Sequence, residues 1–323
     1  MISSRPALEI RLFGSMQVLH DGQLVTDFAS RKAEALLAYL LLNPQPHPRE
    51  TLADLLWDDR TQKQALGNLR VLLSNLRQLL PDLLLIERQT VQRNPDSPLI
   101  LDTAELQAAL ALLDEQGMEV ATAVPLQSAL EKYRGPLLAG LFLRDARRFE
   151  EWLLVAREQW QQQALHGLHQ LATHQFSFGD LPAAAQSAHK LVELDPLRER
   201  SQQLLLRVLA RQGHSNAALQ QYQQFAELLE AELGVPPAPE TERLYQRIRQ
   251  ARTSPARPLP PEGGPLLGRQ AELAAIQQRL DDPATRLVTL LGIGGMGKTR
   301  LALAVAHLRQ RDYLNGVCFV PLA

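Results

Sequence analysis

The 323-residue sequence predicts a mainly α-helical chain with short β-hairpins near its N-terminus and an incomplete α/β segment at its C-terminal end. Three observations predict it. Alternating apolar and polar runs flank a tight turn at His20-Asp21-Gly22, and strand-like runs return between about Leu84 and Leu101. Apolar residues at helical spacing fill the stretch from Ser30 to Pro81 and nearly all of Thr103 to Gln250. A glycine-rich loop, "GIGGMGKT" at Gly292–Thr299, stands between an apolar run and a helical pattern.

The elements follow in order. "LEIRLFGSMQVLHDGQLV" reads as a hairpin. "SRKAEALLAYLLLNPQP" reads as a helix with Ser30 at its N-cap and a stop at Asn43-Pro44. "PRETLADLLW" is a short helix with Pro48 near its start, where a missing N–H costs nothing. "QKQALGNLRVLLSNLRQLLPD" is a longer helix ended before Pro81, and "LLLIERQTVQRNPDSPLILD" returns to strands. The expected domains are residues 1–102, a helical domain at 103–250, a Pro-rich linker at 251–265 and the start of a further domain at 266–323. Pro255, Pro258, Pro260, Pro261 and Pro265 with Gly263 and Gly264 mark that linker.

Charge and cysteine use narrow the partners. Lys plus Arg is 34 and Asp plus Glu 35, so total charge announces no nucleic acid, and charge has to be read locally. The single cysteine, Cys318, excludes an internal disulfide framework. Neither a signal-peptide core nor a membrane-length apolar run is present, so the expectation is a cytoplasmic protein without a membrane partner.

Local charge singles out the third helix. Leu66, Leu69, Leu73, Leu76 and Leu80 share one side at 100° per residue, and Lys63, Gly67, Arg70, Ser74, Arg77 and Gln78 share the other. Between Arg60 and Arg93 there are six Lys or Arg and two acids, Asp82 and Glu87. A helix entering a DNA major groove needs this division into a buried face and a face of Arg, Lys and small polar groups. On an isolated helix the same face would more often be idle solvated surface; the flanking elements shift the reading. Hairpin, three helices and hairpin is the order of a winged helix-turn-helix, with a wing from about Leu84 to Leu101. Its turn near Arg88-Gln89, and Arg93 beyond it, would reach backbone or minor groove.

The helical zone contains a repeat. Gly179, Ala183, Ala184 and Gln186 recur 34 residues later as Gly213, Ala217, Ala218 and Gln220. That period is the one tetratricopeptide-like helix pairs use. Tyr133, Trp152, Trp160 and Tyr222 read as packing residues, and His166, His169, His174 and His189 lack the companions a metal site needs.

These stretches resemble a known family. "RKAEALLAYLLLNP", "RETLADLLW" and "NLRVLLSNLRQLLP" resemble the OmpR-like winged helix of the antibiotic regulatory protein (SARP) type of bacterial activator. "YRGPLLAGL", "ELDPLRERSQQLLLRVLARQG" and "ELLEAELGVPPAPETERLYQRI" resemble the bacterial transcriptional activation domain that follows it in such regulators. The resemblance implies binding to direct repeats in double-stranded promoter DNA, recruitment of RNA polymerase and a homodimer on DNA. The wing departs from the pattern, lacking the Gly-Tyr found in many members.

The loop Gly292–Thr299 fits G-x-x-x-x-G-K-[ST] without gaps. Gly292, Gly294, Gly295 and Gly297 would let backbone amides wrap a polyphosphate. Lys298 would touch the β and γ phosphates of ATP or ADP, and Thr299 would hold Mg²⁺. "RLVTLL" before it and "GVCFVPLA" after it are expected as strands. "LLGRQAELAAIQQRL" resembles the lead-in of STAND-type signalling ATPases. Hydrolysis also needs an acid on a later strand, and "GVCFVPLA" has none, so ATP binding without turnover is expected and no catalytic residue is assigned. Nucleotide is not expected to be required for DNA binding. The alternative is a nucleotide-controlled signalling ATPase that carries the first two zones as cargo.

Overall fold

Strong alternation in residues 8–24 does produce strands, three rather than two. The computed structural model describes residues 8–253, 259–261, 268–281, 285–310, 313 and 317–321. Strands β1 (Leu8–Arg11), β2 (Gln17–His20) and β3 (Gln23–Leu24) form an antiparallel meander. The β2–β3 turn is the expected Asp21-Gly22, both with positive φ (50° and 79°), which a two-residue hairpin of the primed type demands.

Helix α1 (Arg31–Leu42) follows, with Ser30 at its N-cap position. The Ser30 side chain makes no capping bond; the Ser30 carbonyl accepts from Ala33 N at 2.9 Å instead. Next come β4 (His47–Pro48), α2 (Arg49–Leu56) and α3 (Gln62–Leu79). Helix α3 opens on a signal not read from the sequence: Thr61 N and Oγ1 both donate to Gln64 Oε1, at 3.3 and 3.0 Å. The wing is β5 (Leu84–Ile86) and β6 (Thr90–Arg93), and β4 pairs on the other edge of β6.

The wing ends sooner than expected. Ile100 and Leu101 form β7, which lies parallel to β1 at the edge of the first sheet, giving the order β3-β2-β1-β7. Chain order alone cannot reveal a pairing across some ninety positions. Asp102 then opens α4 (Asp102–Gln116). Its carboxylate is buried and accepts from Leu12 N (2.9 Å), Phe13 N (3.0 Å) and Thr103 N (2.9 Å). Burial pushes the Asp102 carboxyl up, against the pull of those backbone donors and of the Arg134 charge.

Helices α5 (Val120–Glu131) and α6 (Arg147–Ser177) complete the first of two compact units, Met1–His174. Between them, "YRGPLLAGL" runs beside the end of β1: Leu138 N donates to Leu12 O at 2.8 Å, and Gly14 N donates to Pro136 O at 3.0 Å. Arg157 fixes this segment from α6, with Nε on Leu137 O and Nη2 on Leu138 O, both at 2.8 Å. The aromatics pack, as expected: Phe13 lies 4.7 Å from Tyr133 and 5.4 Å from Trp160, and Tyr39 lies 4.8 Å from Trp152. Gly167 on α6 is the close-approach point. A Cβ there would meet Leu110 Cδ2 at 3.1 Å and Leu126 Cδ1 at 3.2 Å. Gly167→Leu should therefore lower the unfolding free energy by about 1–3 kcal/mol through overpacking. Urea denaturation reads it, and an unchanged midpoint would mean that α4 and α5 yield freely.

The second unit, Gln175–Ala323, contains α7 (Leu181–Leu194), α8 (Glu199–Arg211), α9 (Ser215–Leu233) and α10 (Pro239–Thr253). The 34-residue repeat is visible in the hydrogen bonds. Gly179 N donates to Phe176 O and Asp180 N to Gln175 O; 34 residues on, Gly213 N donates to Ala210 O and His214 N to Leu209 O. Both glycines are left-handed, at φ 81° and 83°, so the same helix-ending turn is built twice. Ala184 and Ala218 are fully buried where the small residues recur. Tyr222 packs too, stacked on Tyr245 at 4.1 Å.

Helices α11 (Gln270–Asp281) and α12 (Lys298–Arg309) flank the phosphate loop. Here two expectations are corrected. Residues 286–291 and the described part of the last run, 317–321, join no β-ladder. Leu287 is 83% exposed and Leu291 90%. A parallel strand is stable only between neighbours with both faces covered, and the described residues here supply neither. Most linker prolines, with Gly263 and Gly264, lie outside the described residues. Leu259 and Pro260 do not run free: Leu259 is buried, and His307 Nε2 hydrogen-bonds Pro260 O at 2.9 Å. Among the described residues no helix is long and apolar enough to cross a membrane, and no group of three metal-ligating side chains forms.

Candidate nucleic-acid interface and phosphate loop

The face of α3 is set by what its other side buries. Ala65, Leu69, Leu72, Leu73 and Leu76 are buried, and Leu66 is only half-buried. Lys63, Gly67, Arg70, Ser74, Arg77 and Gln78 are all exposed. Among the described residues none of Lys63, Arg70, Arg77 or Arg88 forms an ion pair or side-chain hydrogen bond. These four cations, none of them paired with a carboxylate among the described residues, are available to meet an anion.

Val71 belongs on this face and escaped the sequence reading. It is 64% exposed and lies in the row Gly67, Val71, Ser74, Gln78, at helical spacing. An apolar side chain among polar ones on such a helix is suited to a thymine methyl group. Its apolar character, which suggests core, hid it.

Arg49 is the second residue the sequence did not single out. A groove of about 470 Å³ is lined by Arg49 and Glu50 at the start of α2, Arg70 of α3, and Arg88 and Gln89 of the wing turn. Arg49 N donates to Gln89 O at 3.0 Å, pinning α2 to the wing, while its Nε is buried without a hydrogen-bond partner. The start of α2 adds the positive end of its dipole to the same groove. Only three-dimensional folding gathers residues 49, 70 and 88, so no local pattern could have found this trio.

Arg93 is not part of that groove. Strand β6 runs away from the turn, and Arg93 pairs in register with Leu84 at the far end of the wing. Its side chain is half-buried, with Nε unpartnered. The residues around Trp57 hold α2 in place. Lys32 Nζ donates to Leu56 O at 2.6 Å and to Asp145 O at 3.2 Å, and sits 5.1 Å over the Trp57 ring. Burial, more than any neighbouring charge, pulls this lysine below its ordinary value.

The phosphate loop brings its glycines together in one exposed turn ahead of α12. Gly295 and Gly297 are left-handed at φ 82° and 80°, and a Cβ at Gly294, Gly295 or Gly297 would meet nothing within 4 Å. That open, left-handed backbone suits amides that turn toward a phosphate. Lys298 Nζ folds back onto the loop, donating to Gly292 O at 2.7 Å and Ile293 O at 2.9 Å. Arg269 bridges the lead-in to the loop, pairing with Glu272 at 2.6 Å and reaching Met296 O at 3.4 Å. Thr299 is exposed one residue into α12. These residues fit a nucleotide's phosphates: the amides would cradle them, Lys298 would exchange carbonyl partners for phosphate oxygens, and Thr299 would reach a bound Mg²⁺. Among the described residues, the apolar run before the loop joins no ladder.

Comparison with known proteins gives the chain its relatives. Residues 101–249 match the bacterial transcriptional activator domain family. The chain is 29% identical to "Regulatory protein AfsR" of Streptomyces griseus over 341 residues and 30% identical to that of Streptomyces coelicolor over 349 residues. Each alignment takes in 98% of this chain and 34% of the relative, so the chain spans about a third of their length. "Transcriptional regulatory protein MoaR1" of Mycobacterium tuberculosis is 27% identical over 67% of this chain and 71% of its own length. In fold the chain is similar to Mycobacterium tuberculosis EmbR, solved in complex with a low affinity phosphopeptide, at a TM-score of 0.55 and 23% identity over 85% of this chain and 72% of that one. The chain is thus similar over nearly its whole length to proteins named as regulatory proteins, and its helical segment 101–249 matches the bacterial transcriptional activator domain family model.

Proposed function

We propose that the chain is a DNA-binding transcriptional activator that reads promoter DNA through α3 and the wing turn. The observation that carries this reading is the exposed cationic face of α3, with Arg70, Arg77 and Lys63 unpaired among the described residues and Arg88 beside Arg70 across one groove. In this reading Gly67, Ser74, Gln78 and Val71 contact base edges or pack against them. Arg49 and Arg88 hold backbone phosphates, and Arg93 contributes at most from the base of the wing. Residues 1–102 form the reader and 103–250 a tetratricopeptide-like activation domain. That domain meets RNA polymerase or a second copy bound to the adjacent repeat.

The reading is tested by titrating the chain with duplexes bearing direct repeats at several salt concentrations. Log affinity should fall linearly with log salt, by about 0.9 per phosphate engaged. A flat salt dependence, or no duplex binding at low salt, would remove DNA from the account.

The phosphate loop supports a second role, as a nucleotide grip that is not a turnover site. Lys298→Ala should abolish binding of a fluorescent ATP analogue and leave duplex affinity within about twofold, since the two sites share no residue. A large loss of duplex affinity in that variant would favour the alternative, in which nucleotide controls the reader.

A further inference from the structure

A second cationic site shares no residue with the reader or the phosphate loop. Helices α8 and α10 pack with matched polar rows. Glu199 of α8 accepts from Ala238 N at 2.7 Å and from the Thr241 hydroxyl, and Gln203, one turn on, donates to Thr241 Oγ1 at 2.9 Å. One more turn along α8 brings Arg207, and there the matching stops. Its neighbour on α10 is Arg247, a like charge, and burial together with Arg247 holds the Arg207 guanidinium below its ordinary range.

The acids nearby are committed elsewhere. Glu240 pairs with Arg243 at 2.5 Å, and Glu242 accepts from the Tyr222 hydroxyl and from Gln246 Nε2 at 2.6 Å. Hydrogen bonding from Tyr222 holds the Glu242 carboxyl low, so it stays an occupied acceptor. Among the described residues neither Arg207 nor Arg247 has an ion pair or a side-chain hydrogen bond. Both line one cleft of about 630 Å³, open to solvent, whose lining also includes glutamine amides, Arg243 and the committed carboxylates of Glu240 and Glu242.

Both side chains are exposed, so solvent screens their repulsion, and an anion bridging the two guanidiniums across the cleft would relieve what remains. Each presents a planar fork of donors matched to two oxygens of a phosphate. We propose that the cleft between α8 and α10 binds a phosphate-type oxyanion, with Arg207 and Arg247 as its two ligands. The shared chemistry is a tetrahedral dianion, carried either by a small free phosphate compound or by a phosphorylated side chain.

The test uses the full chain carrying Lys298→Ala, so that the phosphate loop does not report. Calorimetric titration with pyrophosphate and with a phosphoserine peptide, each against its chloride or unphosphorylated control, decides between the two sources. At least one should bind, and Arg207→Gln or Arg247→Gln should weaken it by about tenfold or more. In the absence of anion, Arg247→Gln should raise the melting temperature slightly, since it removes a repulsion. Three results overturn the proposal: no binding of either probe, equal binding by the variants, or a lowered melting temperature in both variants. A matching loss of duplex affinity in Arg207→Gln would also overturn it, by making the pair part of the DNA surface. The proposed DNA-reading function fails or stands separately, on the α3 variants.

Discussion

Arg70→Ala and Arg77→Ala should each weaken binding to a direct-repeat duplex by about 1–3 kcal/mol if the arginine makes a bidentate contact to guanine. Both guanidiniums are exposed on the 18-residue α3, and no carboxylate is paired with either among the described residues. The alanine variants remove side chains from solvent, not from the core, so folding is spared and the loss reports the interface. The two arginines can be told apart by what else changes. Arg70 faces the groove shared with Arg49 and Arg88. If it serves the backbone there, Arg70→Ala should lower the salt slope by about one phosphate and leave sequence preference intact. Arg77 lies two turns further along α3, outside that groove, and its removal should relax preference at one base position. Unchanged affinity in both variants, measured by fluorescence anisotropy, would take α3 out of the reading. A comparison with Val71→Ala sharpens it, since that change should penalise only sites bearing thymine opposite residue 71.

What the sequence shows of this fold is what local chemistry dictates. The turn at Asp21-Gly22, the helix ends at Asn43 and Leu80, and the two-faced pattern of α3 are local, and the structure follows them. The 34-residue repeat is legible because the same left-handed glycine must end the same helix twice. Pairing over long separation is not legible. The run to Leu101 looked like wing because its composition is strand-like, but Ile100 and Leu101 find β1. "YRGPLLAGL" looked like a piece of the helical zone, yet it hydrogen-bonds beside β1. The opposite error arises at 286–291, where an apolar run reads as a buried strand but finds no ladder among the described residues. At the candidate interface, the α3 residues were legible as one helical stripe. Arg49 was not, because its role depends on the wing folding back over α2.

The join between the first sheet and the helices behind it makes Asp102→Ala a strongly destabilising change. Its carboxylate satisfies Leu12 N and Phe13 N at the end of β1 and Thr103 N in the first turn of α4, all away from solvent. The alanine variant leaves these donors buried, at about 1–3 kcal/mol for each that water cannot reach. Beside it, Phe13 holds Tyr133 and Trp160, and Leu138 N depends on Leu12 O. Loosening residues 12 and 13 therefore loosens α5 and α6 as well. A loss of about 2–5 kcal/mol is expected in urea denaturation, with two donors taken as fully stranded. The pH dependence has a definite sign. Burial raises the folded carboxyl value, so the stabilisation Asp102 gives is complete below the unfolded value and declines as pH rises through the folded one. The gap between wild type and Asp102→Ala should thus be widest below the unfolded carboxyl value and narrow as pH rises toward neutrality. A gap that widened instead would mean that the backbone donors and Arg134 outweigh burial, and that the site holds a carboxylate by design. A variant as stable as the wild type would show that β1 and α4 are joined by β7 pairing alone.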